Sequence, residues 1–285
     1  MASMEELTTP HQPNFCPGCG DISIWSAFKQ AAVKAGWDTT NTALTAGVGC
    51  HGHMLNFVKI PGFGSLHGRA VPVATGIKLA NNDLNVFVFT GDGDSLAEGT
   101  NHYIHAARRN HDINIILHDN AIYGLTTGQT SPRSSQGYKS KSTPMGNIDN
   151  PLNPLTTVIA AGATFVARVY AGDIPKLSEI LIKANEHKGF SLIDVLQPCY
   201  TFNKEYTHEF YRENTYWLPE SYDPTNKTAA FEKAQEWGLK KIPLGVFYQE
   251  KKPSYEQLIP HIKDAPLVSK EPVVKDISKL YKKYK

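Results

Sequence analysis

The stretch Val86-Phe87-Val88-Phe89-Thr90-Gly91-Asp92-Gly93-Asp94-Ser95 runs from four unbroken apolar residues into a glycine-rich turn. Apolar residues without alternation are what a strand buried on both faces requires. A helical stretch follows to Arg109. A second apolar run, Ile113-Asn114-Ile115-Ile116-Leu117, then closes on His118-Asp119-Asn120. A strand, a helix and a strand in that order lie parallel, joined by a right-handed crossover. Ligands of such sheets bind beyond the carboxyl ends of the strands. Because the two runs end in Asp92 and Asn120, both oxygen-bearing side chains are expected on one edge, near each other.

The same alternation extends outward. A helix is predicted from Asp21 through Ile24, Phe28, Ala31 and Ala32, with Asp21 suited to cap it and Gly36 to stop it. Ala43-Leu44-Thr45 feeds the turn Gly47-Val48-Gly49-Cys50-His51-Gly52, and a second helix is expected over 70–81. Residues 124–154 show no periodicity, and loops of that length are usually functional or disordered. Regular pattern resumes with a strand at 164–169, a helix at 174–188 and a strand at 191–196. Beyond Gln197 the chain becomes rich in Tyr, Trp, Pro and Lys, with one more strand-like run at 243–248. The expected architecture is α/β, a mostly parallel sheet flanked by helices. We expect a domain over 1–199 and a C-terminal extension over 200–285, packed on that domain or on a partner.

Composition narrows the function classes. At 41% hydrophobic and 20% charged, the chain can build an ordinary globular core. A net charge of +2 carries no footprint of nucleic acid or a membrane surface. No run approaches the roughly 18 apolar residues of a membrane span. Residues 1–12 are polar and acidic, unlike a leader peptide, so a cytoplasmic location is expected. Lys279, Lys282, Lys283 and Lys285 read as a solvated tail.

Chemistry concentrates in two constellations. Mg²⁺ takes oxygen ligands in an octahedron commonly shared with phosphate, and Asp92 with Asn120 supplies two. Gly91 and Gly93 let the backbone approach a diphosphate, and the helix that follows offers free N–H groups. A lone Gly-Asp-Gly is usually just a turn; the second strand ending in Asp-Asn is what makes it a candidate site. The chain has four cysteines: Cys16 and Cys19 in a C-x-x-C, Cys50 in the glycine turn, and Cys199 after a strand. A reducing compartment disfavours disulfides. Four thiolates suit a tetrahedral zinc or a [4Fe–4S] cluster, and spacing alone leaves both open, with scattered core cysteines as a third reading.

The Gly-Asp-Gly with its downstream Asn resembles the metal–diphosphate motif of thiamine-diphosphate enzymes. Leu66-His67-Gly68-Arg69, Ala74-Thr75-Gly76-Ile77-Lys78-Leu79, Ala106-Ala107-Arg108-Arg109-Asn110 and Ile122-Tyr123-Gly124-Leu125-Thr126 resemble the β subunits of 2-oxoacid:ferredoxin oxidoreductases, as does Gly245-Val246-Phe247-Tyr248-Gln249. The likeness runs over roughly residues 14 to 250. It implies a [4Fe–4S] cluster on Cys16, Cys19, Cys50 and Cys199. It further implies Mg²⁺ on Asp92, Asn120 and the carbonyl of Ile122. Thiamine diphosphate would be lined by Val48, Gly49, Cys50, His51, His67, Gly93, Asp94, Gly124 and Leu125.

The resemblance also implies a partner. The glutamate that activates thiamine diphosphate sits on a pyrimidine-binding domain for which this chain has no room, so an α subunit would supply it in a heterodimer. The implied reaction converts a 2-oxoacid and coenzyme A to acyl-CoA and carbon dioxide, with electrons leaving to ferredoxin. A non-redox thiamine-diphosphate decarboxylase or synthase is the alternative. Arg69, Arg133 and Lys139 are candidates for a substrate's second carboxylate, within a preference that includes pyruvate and 2-oxoglutarate. His51 and His53 have ligand-like spacing, although histidines in turns are usually only hydrogen-bonded. His102 and His105 share a helix face, Glu98 is expected early in that helix, and 200–217 is a candidate cover for the site or a partner contact.

Overall fold

The structure, a computed structural model, describes residues 3–271 and 276–284, so Lys285 of the basic tail lies outside the described residues. Its strands are β1 (Thr42–Ala46), β2 (Gly62–Gly64), β3 (Asn85–Gly91), β4 (Asn114–Asp119), β5 (Ile122–Tyr123), β6 (Gln129–Thr130), β7 (Phe165–Tyr170), β8 (Ser191–Leu196), β9 (Thr215–Trp217) and β10 (Ile242–Gln249). All but β5 and β6 form one eight-stranded sheet in the order β2-β1-β3-β4-β8-β7-β10-β9. From β2 to β7 every pairing is parallel, and β10 then runs antiparallel to β7.

The helices that cover the sheet are α1 (Gly20–Ala35), α2 (Met54–Phe57), α3 (Ala70–Ala80), α4 (Thr100–Arg109), α5 (Pro154–Ala161), α6 (Ile174–Glu186), α7 (His208–Asn214) and α8 (Lys227–Ala234). Side chains of a strand alternate between faces, and β3 shows the result. Phe87 and Phe89 join the core under α1 and α6, while Val86 and Val88 join the core under α3, α4 and α5. Phe28 of α1 meets both phenylalanines edge-on, with ring centroids 5.1 Å apart in each pair. Truncating such a ring to alanine costs about 3–5 kcal/mol, so this contact is a major anchor of α1 on the sheet.

Two local expectations need correction. Asp21 does not cap α1. Cys19 occupies the cap position without a side-chain cap bond, and Asp21 turns inward to His118 because its carboxylate has a buried partner there. The helix after β3 is not continuous either. Asp94–Glu98 forms a wide π-type turn, and α4 begins only at Thr100, whose hydroxyl donates back to the Leu96 carbonyl. Wide turns of this kind are common at functional sites. Glu98 therefore stands before the helix, not within its first turn.

The C-terminal part of the chain supplies β9 and β10 to the sheet and seals its far edge. Tyr206, Phe210 and Trp237 pack against Tyr211, Leu244 and Ile242. The Trp237 ring also lies 5.0 Å from the Arg133 guanidinium and 5.3 Å from that of Arg168. Those arginines are buried and ion-paired at 2.7 Å with Asp119 and Asp194.

Candidate active site

Four strand ends and the start of α1 meet at one edge. The turn after β1, the turn after β3, the end of β4 and the segment 122–126 surround one cavity. It is bordered by Val48, Gly49, Cys50, His51 and His67, by Asp92, Gly93 and Asp94, and by Asn120, Ile122, Gly124 and Leu125. Every residue that the sequence nominated for the organic cofactor or its metal is therefore brought together. Parallel strands end in register, and this places turns far apart in sequence side by side.

Asp94 holds these turns in place. Its Oδ1 accepts from the backbone N–H of Gly68 at 2.7 Å and of Val48 at 3.2 Å, and lies 2.7 Å from His67 Nδ1. Its Oδ2 accepts the Thr90 hydroxyl at 2.6 Å. Burial would raise its pKa, but the nearby His51 ring, the Thr90 hydroxyl and the Gly68 N–H outweigh it, and the carboxyl stays well below the ordinary range. Asp94 thus borders the cavity with both oxygens already engaged. Gly47 is what lets the carboxylate in, because a Cβ there would lie 1.7 Å from Asp94 Oδ2. Gly68, at φ +71°, presses against the Glu98 backbone where a side chain would not fit.

Asp92 is the opposite case. It is buried and receives the Ser131 hydroxyl, yet burial, followed by the neighbouring charge of Asp119, pushes its carboxyl well above the ordinary range. A buried carboxylate short of compensation favours a proton or a cation. Beside it, Asn120 Oδ1 accepts the Ile122 N–H at 3.1 Å, and its Nδ2 donates to Gln197 Oε1 at 2.9 Å. Ala121 between them sits at φ +58°, a left-handed conformation that costs energy for a residue with a Cβ and re-aims the peptide there.

Two histidines add polar atoms that need partners. His118 Nδ1 lies 2.6 Å from Asp21 Oδ1, and its buried Nε2 has no hydrogen-bond partner among the described residues. His51 Nε2 is likewise without a partner, standing 3.5 Å from Asp94 Oδ2. Burial lowers the His118 pKa despite the carboxylate beside it, which favours the neutral ring. Asp21, His118 and Gln197 were not among the residues nominated for the site, although all three border this cavity. Each stands two residues from a nominated ligand, Cys19, Asn120 or Cys199, and that spacing was the available signal.

The four cysteines line an adjoining cavity of about 250 Å³ with Phe15, His53 and Tyr200. Cys50, Asp21, Asn120, Gly124, Leu125 and Gln197 border both cavities, so they form a common wall. Burial, then the charge of Asp21, raises the Cys19 thiol far above its ordinary range and pushes Cys50 up to about 12; burial also raises Cys199. Thiols in this setting stay protonated unless a cationic centre draws them into coordination.

Other nominated residues fall elsewhere. Arg133 is not free to meet a substrate, because its Nε donates to Asp119 and its Nη1 to the Leu152 carbonyl. Arg69 donates to the Glu98 and Gly68 carbonyls, and Lys139 is exposed. His53 lies on a short helical turn, stacks on Phe57 and pairs with the Asn56 amide. His102 and His105 border a separate surface hollow with Arg109. Glu98 receives the Tyr123 hydroxyl at the rim of the site. Of 200–217, only Tyr200, Thr201 and Phe202 reach the cysteine cavity, while Phe210 and Tyr211 pack at the sheet edge.

The sequence pattern of the thiamine pyrophosphate enzyme C-terminal TPP binding domain matches residues 47–195, which span the β1 turn through β8. The pattern for the C-terminal part of the pyruvate ferredoxin oxidoreductase beta subunit matches 199–264. A 2-oxoacid:ferredoxin oxidoreductase subunit beta from a Sulfolobus species is 47% identical, over 88% of this chain and 87% of the relative. The chain belongs to the beta subunits of the 2-oxoacid:ferredoxin oxidoreductases. A second such subunit, from Aeropyrum pernix, is 41% identical over 93% of this chain and 87% of its own. Among solved structures, a 2-oxoglutarate:ferredoxin oxidoreductase from Magnetococcus marinus, with 2-oxoglutarate, coenzyme A and succinyl-CoA bound, superposes with a TM-score of 0.91 at 36% identity. It covers 100% of this chain and 96% of its own. This 2-oxoacid:ferredoxin oxidoreductase beta subunit is thus part of a thiamine-diphosphate-dependent oxidoreductase, and its parallel sheet is that of the thiamine-diphosphate-binding domain. No described helix is long and apolar enough to cross a membrane.

Proposed function

We propose that the two adjoining cavities hold thiamine diphosphate with Mg²⁺ and a [4Fe–4S] cluster, and that electrons from 2-oxoacid decarboxylation cross their common wall. The observation that carries this reading is Cys50, which borders both cavities. Thiamine diphosphate supplies the nucleophilic carbon that makes decarboxylation of a 2-oxoacid possible. Asp92, Asn120 and the Ile122 carbonyl are the oxygen ligands for Mg²⁺. The under-compensated Asp92 carboxylate fits a cation, and the unpartnered His51 and His118 nitrogens fit a polar cofactor. Val48, Gly49, Cys50, His51, His67, Gly93, Asp94, Gly124 and Leu125 surround the organic cofactor, with Asp94 holding the turns that shape it.

Cys16, Cys19, Cys50 and Cys199 are the cluster ligands. They line one space of about 250 Å³, larger than a single ion needs. That favours a cluster over zinc, and with it the redox reading over a plain decarboxylase or synthase. The pyrimidine-binding domain belongs to an α subunit, which closes the cavity where Val48 and Leu125 stand exposed. Coenzyme A takes the acyl group and ferredoxin the electrons, in a cytoplasmic heterodimer. Residues 1–199 form the cofactor domain and 200–285 an extension that completes its sheet. The substrate preference includes 2-oxoglutarate, the 2-oxoacid bound in the Magnetococcus marinus relative, together with pyruvate.

Anaerobic purification with the α subunit tests this reading. Iron, sulfide, Mg²⁺ and thiamine diphosphate are expected in the complex, with viologen reduction on adding 2-oxoglutarate or pyruvate and coenzyme A. A colourless protein loaded with zinc would sink it.

A further inference from the structure

Gln197 follows β8 in the wall that the two cavities share, and it is 1% exposed. Its backbone N–H donates to the Asp119 carbonyl at 2.9 Å, fixing the main chain beside the end of β4. Its side-chain Oε1 accepts from Asn120 Nδ2 at 2.9 Å, and its Nε2 donates to Cys19 Sγ at 3.2 Å. The orientation of both amides is dictated by a backbone donor. The Ile122 N–H requires an oxygen on Asn120, so the Asn120 nitrogen faces Gln197 and the Gln197 nitrogen faces the sulfur. Gly20 leaves room for this side chain, since a Cβ there would stand 2.8 Å from Gln197 Cγ.

A buried glutamine can be satisfied by any donor and acceptor. This one joins a residue read as a Mg²⁺ ligand to one read as a cluster ligand. Asp21 also reaches Cys19, at 3.4 Å, but there the thiol is the donor, and a thiolate has no proton to give. Once Cys19 is a thiolate, Gln197 is the side chain among the described residues that donates a hydrogen bond to a cysteine sulfur. Hydrogen bonds to a cluster's sulfurs stabilise its more negative, reduced form and so raise its potential.

We propose that Gln197 is a positioning residue that acts on both centres: its N–H raises the potential of the cluster through Cys19, and its carbonyl fixes Asn120 for the metal–diphosphate site. The proposal rests on the cluster and metal assignments of the proposed function. It makes the same side chain responsible for two properties measurable apart from turnover.

The test uses the anaerobic complex with its α subunit, with the cluster potential read by EPR-monitored reductive titration and thiamine diphosphate retention read after gel filtration. Gln197→Glu keeps an acceptor for Asn120 but removes the donor to Cys19. Its midpoint is expected to fall by about 59 mV, a tenfold change for one electron, with retention near wild type. Gln197→Leu removes both bonds, so the potential falls and cofactor retention weakens about tenfold or more, as for other outer partners of a metal site. An unmoved potential in Gln197→Glu overturns the proposal. So does full retention in Gln197→Leu. If Gln197→Leu does not assemble, the shape-conserving Gln197→Glu decides alone. Iron missing from the wild-type complex would overturn the cluster reading itself, and this proposal with it.

Discussion

Asp21 Oδ1 lies 2.6 Å from His118 Nδ1, joining the first turn of α1 to the end of β4 across the interior, with both side chains 1% exposed. The other oxygen of the same carboxylate accepts from Cys19 Sγ at 3.4 Å. A single buried side chain therefore touches the wall of one cavity and a cysteine of the other. Asp21→Ala leaves a buried imidazole with neither nitrogen bonded, and a loss of about 1–3 kcal/mol is expected. Thermal or denaturant unfolding of the complex measures it; an unchanged midpoint would show that the contact contributes nothing net.

Asp92 makes the reverse prediction for stability. Its carboxylate is short of compensation in the absence of a cation, so Asp92→Ala is expected to fold as well as wild type. Metal-dependent retention of thiamine diphosphate should be abolished. Equilibrium dialysis with and without Mg²⁺ checks this, and undiminished retention in the variant removes Asp92 from the site.

Gly47→Ala places a methyl group on the Asp94 carboxylate, which ties Gly68, Val48, His67 and Thr90 together. Overpacking of this kind costs about 1–3 kcal/mol. The displaced turns should also lower cofactor affinity, so a calorimetric titration with thiamine diphosphate accompanies the unfolding measurement. Unaltered affinity would argue against Asp94 as the organiser of the cavity.

At the opposite end of the sheet, Glu256 Oε1 lies 2.7 Å from His111 Nδ1, and its Oε2 accepts the Asp112 N–H at 3.1 Å. Burial opposes the charge, but these bonds outweigh it and hold the Glu256 carboxyl below its ordinary 4.5. Between the folded and unfolded values the unfolded chain binds more protons. The contribution is therefore complete above about pH 4.5 and is lost as pH falls through the folded value. Glu256→Gln is expected to flatten this part of the acid limb of a stability–pH curve. A limb as steep as wild type would place the acid sensitivity elsewhere.

Much of the fold was legible because it rests on local periodicity. The apolar runs at 86–89 and 113–117 read as strands covered on both sides, and parallel pairing then put Asp92 and Asn120 at one edge. The π-type turn at Asp94–Glu98 was not legible, because it depends on Gly68 and Gly99 pressing together from separate segments. Arg133 was misjudged as a substrate cation for a similar reason: Asp119, its partner, lies on β4 and is buried with it.

The sequence by itself determined the parallel sheet and the placing of Asp92 and Asn120 at one edge, whereas it was the fold that brought the four cysteines to one cavity. The sheet and that placing depend on residue type and short spacing. Only the tertiary structure decided that Asp21 meets His118 across 97 residues and that Gln197 meets Cys19 across 178. Buried polar groups must find partners wherever the folded backbone brings them. That requirement acts on distances in space, to which separation along the chain is no guide.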